Sequence, residues 1–257
     1  MKVVKNVVHV DKDQNLTYAI NLMEKRGVSR LIVTEDSAVL GIITEGDIIR
    51  RMGSSKGRDV PATHLHVSSA MTHEIVTLPF DVTLKEAAHQ MVRQNRYGFP
   101  LVAGDTITGW ITKTDIAASL SGCEKTIADV YDKSPAALRF DQSLAHARAE
   151  MERTGVERFL VLDNNVLVGV LTHKDVMAGL LISKKSVDHP HHADPGNMLV
   201  GSFMTEAPMT VKPEQTVGKA VELMLKRKVS GLPVVSSPWG LLTKKNLVAA
   251  VASGKLP

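Results

Sequence analysis

The sequence predicts an α/β (α+β) protein built from four β-α-β-β-α repeats. Two patterns predict this fold class. The first pattern is Gly-hydrophobic-hydrophobic-Thr-x-x-Asp, which begins at Gly41, Gly109 and Gly169 and recurs at Gly240 with asparagine as its last residue. The second is an Ala-x-x-x-Met pair ahead of each copy, at Ala19/Met23, Ala87/Met91, Ala147/Met151 and Ala220/Met224. Two patterns in a shared register indicate internal repeats.

Each repeat is predicted to begin with a short strand followed by an amphipathic helix. The strands are expected at residues 7–10, 75–78, 136–140 and 209–211. A favourable helix N-cap stands four residues before each alanine of the Ala-x-x-x-Met pair, at Asn15, Thr83, Ser143 and Thr216. Gly27 and Gly155 follow the first and third of these helices, where a left-handed residue commonly ends a helix.

The second half of each repeat is predicted to be two strands and a closing helix. The apolar strands are expected at residues 31–33, 100–102, 159–161 and 233–235. In each repeat the strand that follows carries the Gly-x-x-Thr motif. The closing helices are expected at residues 47–52, 115–120, 175–181 and 246–252. These elements divide the chain into repeats at residues 1–52, 67–121, 122–183 and 198–257.

Composition narrows the class of protein. Hydrophobic residues make up 44% of the 257 residues and charged residues 23%, as in an ordinary soluble domain. The net charge of +4 comes from dispersed Lys and Arg, so it supports nucleic-acid binding only weakly. The single cysteine, Cys123, excludes an intrachain disulfide and a cysteine metal cluster. Without a signal peptide or an apolar run long enough to span a membrane, we expect a cytoplasmic protein.

The four repeats resemble CBS (cystathionine β-synthase) domains. The resemblance rests on the four motif copies in register, on residues 229–235 and on Met71-Thr72, and it covers nearly the whole chain outside the connectors. It implies two tandem modules, residues 1–121 and 122–257, each with two clefts at a pseudo-two-fold axis. It further implies that the clefts bind an adenosine-containing ligand such as AMP, ADP, ATP or S-adenosylmethionine. Modules of this family typically regulate other proteins.

The motif has a chemistry that suits such a ligand. A strand-to-helix junction offers free backbone N–H groups and the positive end of a helix dipole, which favour a phosphate. A threonine hydroxyl can donate to a phosphate or ribose oxygen, and a carboxylate can accept from both ribose hydroxyls. By resemblance, these roles fall on Thr44/Asp47, Thr112/Asp115 and Thr172/Asp175. The same residues also fit a capping box with no ligand, and one junction can serve both purposes.

Two departures from strict repetition bear on ligand binding. The fourth pair is Thr243/Asn246, in which the asparagine can hydrogen-bond a ribose but carries no charge. We therefore expect binding to fail or change there. Arg30 and Arg158 occupy equivalent positions in the first and third repeats, where the second and fourth have glycine. These arginines are candidate phosphate ligands, and the alternative is that they are surface residues at a strand start.

The remaining polar residues are interpreted as structural or solvated. Five basic side chains near the motifs are expected to be solvated, with phosphate contact as the alternative: Arg96, Lys113, Lys174, Lys244 and Lys245. The cluster of His189, His191 and His192 with two aspartates has ligand types suited to zinc or nickel. It falls in a Pro-broken connector, which favours a linker over a metal site.

The sequence thus predicts a regulatory sensor rather than an enzyme. It would bind an adenosyl ligand in clefts between paired repeats, require no metal, and pass its ligand state to a partner protein. The chain would form a homodimer or close on itself as a disk. Two alternatives remain: a constitutive scaffold with empty clefts, and a nucleic-acid-binding protein.

Overall fold

The structure is a computed structural model that describes residues 7–36, 38–54, 60–104, 106–185 and 197–257, without the side chains of residues 183–185. The linker histidines His189, His191 and His192 lie outside the described residues. Within the described ranges, helices alternate with short strands in several small sheets, so the predicted α/β (α+β) fold class is confirmed.

Each repeat contributes an opening helix and a closing helix. The opening helices are α1 Leu16–Arg26, α3 Leu84–Arg93, α5 Leu144–Thr154 and α7 Val217–Lys226. The closing helices are α2 Glu45–Gly53, α4 Lys113–Ser119, α6 His173–Lys185 and α8 Lys244–Ala252. The strands are β1 His9–Asp11, β2 Arg30–Glu35, β3 Ala38–Thr44, β4 Leu78–Pro79, β5 Gly98–Ala103, β6 Thr106–Thr112, β7 Ala137–Arg139, β8 Arg158–Asp163, β9 Val166–Thr172, β10 Thr205–Glu206, β11 Gly231–Val234 and β12 Gly240–Thr243.

The sheets of the first three repeats share one topology. In each, the first strand pairs in parallel with the second strand, and the second pairs antiparallel with the third. The antiparallel register shifts at the same point in all three repeats, after Val33, Leu101 and Val161. In the fourth repeat, β11 and β12 form the antiparallel pair. The strand predicted at residues 209–211 is reduced there to one parallel bridge between Val211 and Val234.

The opening helices begin where their caps predict. The side chains of Asn15, Thr83, Ser143 and Thr216 each accept a hydrogen bond from a backbone N–H in the first helical turn. Gly27 and Gly155 lie in the left-handed region, with φ of 65° and 68°, just after α1 and α5. Both the N-cap and the helix-end predictions are therefore confirmed.

The chain divides into two compact units, each made of two repeats that are not consecutive. The first–third unit comprises Val8–Ile75 and Ala136–Ala207, and the second–fourth unit includes Val76–Pro135 and Pro208–Pro257. Each unit has its own apolar core. Closing helix α2 packs on α6 in the first–third unit, and α8 packs on α3 and α4 in the second–fourth unit. The predicted modules of consecutive repeats, 1–121 and 122–257, stay a prediction.

The connector segments complete the edges of the sheets. Thr72 forms an antiparallel bridge with Ile42, Asp132 forms one with Leu241, and strand β10 pairs with β9. In each case the connector runs beside the glycine that begins the Gly-x-x-Thr motif. A Cβ atom on Gly41 would stand 2.5 Å from the Thr72 carbonyl oxygen. The glycine of the motif is therefore required by the close approach of a backbone segment.

Candidate functional site

All four motif copies lie at a strand-to-helix junction. The threonine is the last residue of β3, β6, β9 or β12, and the closing helix begins at the next residue. The extended backbone of Thr44 (φ −120°, ψ 164°) is typical of an N-cap, and Thr112 and Thr243 share it. The Asp or Asn stands three residues after the threonine and therefore occupies the first turn of the closing helix.

The threonine and the acid form a tight hydrogen-bonded pair. One carboxylate oxygen, Oδ2, accepts from both the backbone N–H and the hydroxyl of the threonine. The two distances are 2.9 and 2.6 Å for Asp47, 2.7 and 2.6 Å for Asp115, and 2.7 and 2.8 Å for Asp175. Since the hydroxyl proton points at the carboxylate, the threonine holds the acid in one orientation.

The second carboxylate oxygen distinguishes the copies. Oδ1 of Asp47 accepts a hydrogen bond from Arg50 at 3.1 Å. Among the described residues, no other residue donates a hydrogen bond to Oδ1 of Asp115 or Asp175. That oxygen can accept from a ligand without disturbing the cap. The capping interpretation and the ligand interpretation of the motif therefore use different oxygens of one side chain.

The fourth copy keeps the geometry and loses the charge. Oδ1 of Asn246 accepts from the backbone N–H of Thr243 at 2.8 Å and also from its hydroxyl. The amide nitrogen, a donor, then takes the place of the second carboxylate oxygen. A ribose hydroxyl would meet a donor at Asn246 where the other copies present an acceptor.

Burial raises the pKa of Asp175. Desolvation is the largest cause, and the hydrogen bonds from Thr172 and the charge of Lys174 oppose it. A carboxylate kept partly from water gains more from each hydrogen bond that a ligand donates. The position is therefore suited to binding as well as to capping.

Arg30 and Arg158 lie directly across the sheet from motif threonines. Arg30 pairs with Thr44 in the register of β2 and β3, and Arg158 pairs with Thr172 in the register of β8 and β9. Residues opposite each other on antiparallel strands have Cβ atoms about 5 Å apart. The first–third unit therefore holds both candidate arginines beside its motifs.

The equivalent position in the second repeat cannot carry a side chain. Gly98 pairs with Thr112, and a Cβ atom there would meet the carbonyl oxygen of Ile111 and lie 3.0 Å from the Cα atom of Thr112. The alternation of arginine and glycine in the sequence thus corresponds to a difference between the two compact units.

The closing helices of the first–third unit begin with Glu45 and His173, which are mostly buried. The Glu45 carboxylate lies 3.8 Å from Lys174, and the His173 ring packs against Gly46, 3.7 Å from where a Cβ atom would stand. Desolvation is the main cause that raises the pKa of Glu45, against the charges of Lys174 and Arg30. Desolvation also lowers the pKa of His173. Burial thus favours the neutral form of both groups.

The closing helices of the second–fourth unit begin with Lys113 and Lys244. The sequence interpretation was wrong for both lysines. Both were expected to be solvated, yet they are only 5% and 6% exposed. Lys244 donates to the Thr114 hydroxyl at 3.0 Å, and that hydroxyl lies 2.9 Å from the Tyr97 hydroxyl. Lys113 lies over the Tyr97 ring, 5.4 Å from its centre. Lys245 is exposed as expected.

A small cavity of about 70 Å³ lies beside this cluster of lysines. Its walls are apolar side chains of α3 and α8, and Lys113 and Lys245 contribute the charged part of its lining. The sequence offered no sign of the cluster, because Lys244 and Thr114 are 130 residues apart in the chain.

The described residues offer neither a cluster of metal ligands nor a membrane-spanning helix. No group of three or more His, Cys, Asp or Glu side chains there could hold a metal ion, and Cys123 is half-buried. The helices in the described ranges include none that is long and apolar enough to cross a membrane.

Known proteins resemble the chain over its whole length. Protein MJ1225 of Methanocaldococcus jannaschii is 24% identical over 96% of this chain and 97% of its own. Its crystal structure, described as that of a proposed archaeal homologue of γ-AMPK, superposes with a TM-score of 0.84 over 95% of this chain and 96% of that one. At this identity the superposition establishes a shared fold.

Other relatives match over a part of their length. Protein MJ1404 of the same organism is 27% identical over 47% of this chain, and the match spans 31% of MJ1404. The inosine-5'-monophosphate dehydrogenase of Korarchaeum cryptofilum is 33% identical over 47% of this chain and 22% of its own length. The chain therefore spans about a third or less of these two relatives.

The CBS-domain family matches the chain four times, at residues 3–54, 67–122, 127–182 and 200–253. These matches account for most of the sequence, and each contains one Gly-x-x-Thr junction and the start of its closing helix. The resemblance read from the motifs is thus confirmed, and the chain belongs to the CBS-domain family.

Proposed function

We propose that the chain is a regulatory sensor that binds an adenosine-containing ligand (AMP, ADP, ATP or S-adenosylmethionine) in clefts between paired repeats. The observation that carries the proposal is the acceptor left on Asp115 and Asp175. Each acid is fixed through Oδ2 by its threonine, while no other described residue donates a hydrogen bond to Oδ1. A preorientated carboxylate oxygen suits a ribose diol, because it accepts hydrogen bonds without reorganising.

The other parts of an adenosyl ligand have partners near the same junctions. The first N–H groups of a closing helix favour an anion, so phosphate groups would bind there. Arg30 and Arg158, across the sheet from Thr44 and Thr172, would add charge-assisted hydrogen bonds in the first–third unit. By family resemblance Thr112, Thr243 and Asn246 would also lie beside a ligand, with a donor at Asn246 in place of the acceptor.

The proposal assigns no catalytic role to the chain. Four CBS domains account for most of its residues, and the dehydrogenase relative matches over less than a quarter of that enzyme's length. Binding would instead shift the packing of the repeats and pass the change to a partner protein. The same proposal places the protein in the cytoplasm. In it, the chain either forms a homodimer or closes on itself as a disk.

Thermal unfolding with and without ligands tests the proposal. A ligand that binds the folded state alone stabilises it by about 2.7 kcal/mol at a hundredfold excess over its Kd. We expect at least one of AMP, ADP, ATP and S-adenosylmethionine to raise the Tm, and calorimetry to give the number of sites. If none of the four raises the Tm or gives a binding heat, the sensor is contradicted and a constitutive scaffold is favoured.

A further inference from the structure

Three of the four opening helices are covered at their start by a connector of the chain. The covering segments are residues 65–67 on α1, 125–127 on α7 and 198–200 on α5. The first residue of each segment accepts a hydrogen bond from the first N–H of the helix, at 2.7 or 2.8 Å. The middle residue bridges the N-cap residue, and the third donates its N–H to the carbonyl oxygen just ahead of that cap. Each segment thus pairs with the helix start as a short strand does.

An apolar side chain anchors each covering segment. The third residue of each segment is β-branched and has no exposed surface. These residues are Val67, Ile127 and Val200. The first residue of each covered helix is buried as well, with 1% exposure or less. Those residues are Leu16, Leu144 and Val217. A covering segment therefore supplies two backbone hydrogen bonds and one buried apolar side chain, which together hold it on the helix.

The start of α3 has no such cover among the described residues. None of them accepts a hydrogen bond from the Leu84 N–H or donates one to the Val82 carbonyl oxygen. Leu84 is only half-buried, although the equivalent residue of the other three helices is fully buried. Its N-cap residue, Thr83, is exposed, whereas the other three N-cap residues are half-buried. The second repeat therefore presents an uncovered helix start where the others are covered.

Phe80 extends this uncovered surface. In the third repeat the equivalent Phe140 is covered by Gly201, the residue just after the covering segment. The Gly201 N–H donates to the Phe140 carbonyl oxygen at 2.8 Å, and a Cβ atom on Gly201 would stand 3.5 Å from the Phe140 ring. Phe80 is 58% exposed, against 41% for Phe140, and no described residue donates to its carbonyl oxygen. Open backbone groups and apolar side chains thus coincide at the start of α3.

The chain's own segments do not account for this site. The three covering segments are already paired with α1, α5 and α7, so among the described residues a second copy has none of them to spare. In each segment the buried residue stands eleven residues ahead of the one that pairs with the second strand of the next repeat, as Val67 does ahead of Leu78. Val10 holds that place in the first repeat, and residues 1–6 are too close to it in sequence for the same spacing.

We propose that the start of α3, with Phe80 and Leu84, is a docking site for an extended segment of a partner protein. The backbone of that segment pairs with the Leu84 N–H and the Val82 carbonyl oxygen. A valine or isoleucine of the segment covers the apolar surface of Phe80 and Leu84. Unpaired backbone groups beside apolar side chains are the features that strand addition uses. The inference concerns the second–fourth unit alone and does not depend on an adenosyl ligand.

The test uses a peptide with the sequence of residues 63–72, which includes one covering segment. Fluorescence anisotropy measures its binding to the full chain, and the same peptide with Val67→Asp is the matched control. We expect saturable binding of the first peptide. The second should bind at least about tenfold more weakly, because docking would bury a carboxylate.

The variant Leu84→Pro locates the bound peptide. Proline removes the N–H of the first helical residue, a position that tolerates it, and Thr83 (φ −72°, ψ 153°) already has the extended backbone that precedes a proline. The control is Leu84→Ala, which keeps the N–H. Both variants should stay folded in thermal unfolding. We expect Leu84→Pro to bind the peptide about fivefold more weakly than Leu84→Ala does, because one hydrogen bond is lost.

Hydrogen exchange checks the site without a variant. In the free chain the Leu84 amide should exchange faster than the Val217 amide, which donates to Lys125, and the peptide should slow it.

Three results would overturn the inference: no saturable binding up to about 1 mM peptide, equal affinity for the two peptides, or equal affinity of the two Leu84 variants. Self-association of the wild type that Leu84→Pro abolishes would assign the site to a second copy, and it would equally overturn docking of a partner protein.

Discussion

Asp175 and Asn246 hold equivalent positions, and they show that one side chain can keep a helix start while changing what a ligand meets. In both, one side-chain oxygen accepts hydrogen bonds from the backbone N–H and the hydroxyl of the threonine three residues earlier. An aspartate-to-asparagine change at the other copies therefore imitates a variant that the chain already contains. It separates ligand binding from helix capping more cleanly than a change to alanine, which removes both.

The first prediction concerns Asp115→Asn and Asp175→Asn. Each variant should retain its cap, so its Tm without ligand should stay close to that of the wild type. Each should lose about tenfold in affinity for the adenosyl ligand at its own site, because a donor replaces the acceptor of the ribose hydroxyls. Calorimetry measures the affinity, and Asn246→Asp is the reciprocal variant. If affinity is unchanged in both variants, the ribose assignment is wrong.

The second prediction concerns the pH dependence of stability at Glu45. Because its folded-state pKa is raised, the folded protein binds this proton more tightly than the unfolded chain does. The resulting stability is present below the unfolded pKa, near 4.5, and is lost as the pH rises through the folded pKa. Glu45→Gln should therefore be more stable than the wild type at pH 7 and equally stable near pH 4.

Denaturant unfolding at several pH values measures this difference. His173 serves as a control of opposite sign, since its lowered pKa removes stability as the pH falls below 6.5. Changing His173→Gln should therefore lessen the loss of stability between pH 6.5 and 5. If Glu45→Gln has the same pH profile as the wild type, then the burial of this carboxyl in solution is smaller than described.

Residue by residue, the sequence predicted the threonine and acid pairs but not the lysine cluster. Thr112 and Asp115 are recognisable because their partners are three residues away. Whether Lys113 and Lys244 are buried depends on which closing helix packs against which, and a repeated motif does not specify that. Tyr97 is unremarkable in the sequence for the same reason.

At the scale of the element, the caps and strand ends followed from local patterns. Asn15, Thr83, Ser143 and Thr216 act within one helical turn, so their effect is visible in a short stretch of sequence. The strand predicted at the start of the fourth repeat is not a regular strand. Only one bridge, between Val211 and Val234, remains there. Pairing across a sheet depends on the partner strand, which a pattern within one strand cannot include.

The third prediction contrasts two glycines of one motif. A methyl group on Gly41 would press on the Thr72 carbonyl oxygen, whereas one on Gly46 would meet the His173 ring at an ordinary contact distance. Gly41→Ala should therefore destabilise the fold by about 1–3 kcal/mol, as overpacking does. Gly46→Ala should be neutral or stabilising by up to about 1 kcal/mol, because alanine favours the helix.

Chemical denaturation of both variants gives the two free energies of unfolding. The ligand affinity of Gly41→Ala, measured under conditions where it is folded, separates a structural role of this glycine from a role in binding. Equal stability of the two variants would mean that the connector does not pack on β3 as described.

At the scale of the whole molecule, neighbouring repeats in sequence belong to different compact units. The apolar core of the first–third unit draws on two separate stretches, Val10–Val67 and Leu138–Val200. The core of the second–fourth unit draws on Leu78–Ile127 and Val211–Leu256. The sequence predicted the number and order of the repeats. It could not predict this interleaving, because four similar amphipathic helices offer several ways to pack.

The fourth prediction is that residues 1–121 alone will self-associate. This fragment contains α2 and α3 without their partners α6 and α8, so it exposes the apolar faces of both helices. A second copy is the nearest substitute for the missing repeats, and association should bury those faces again. Sedimentation should show a concentration-dependent dimer for residues 1–121 and also for 122–257. A stable monomer of either fragment would contradict the interleaved cores.

The bridges at Thr72 and Asp132 and the β10 strand also bear on how such a chain grows during evolution. A strand edge without a partner is open to pairing with other chains, and here the segment that leads into another repeat covers it. A duplication that copied β-α-β-β-α alone would leave that edge bare and invite aggregation. The connectors are therefore as much a part of the folded sheets as the repeats that the motifs delimit.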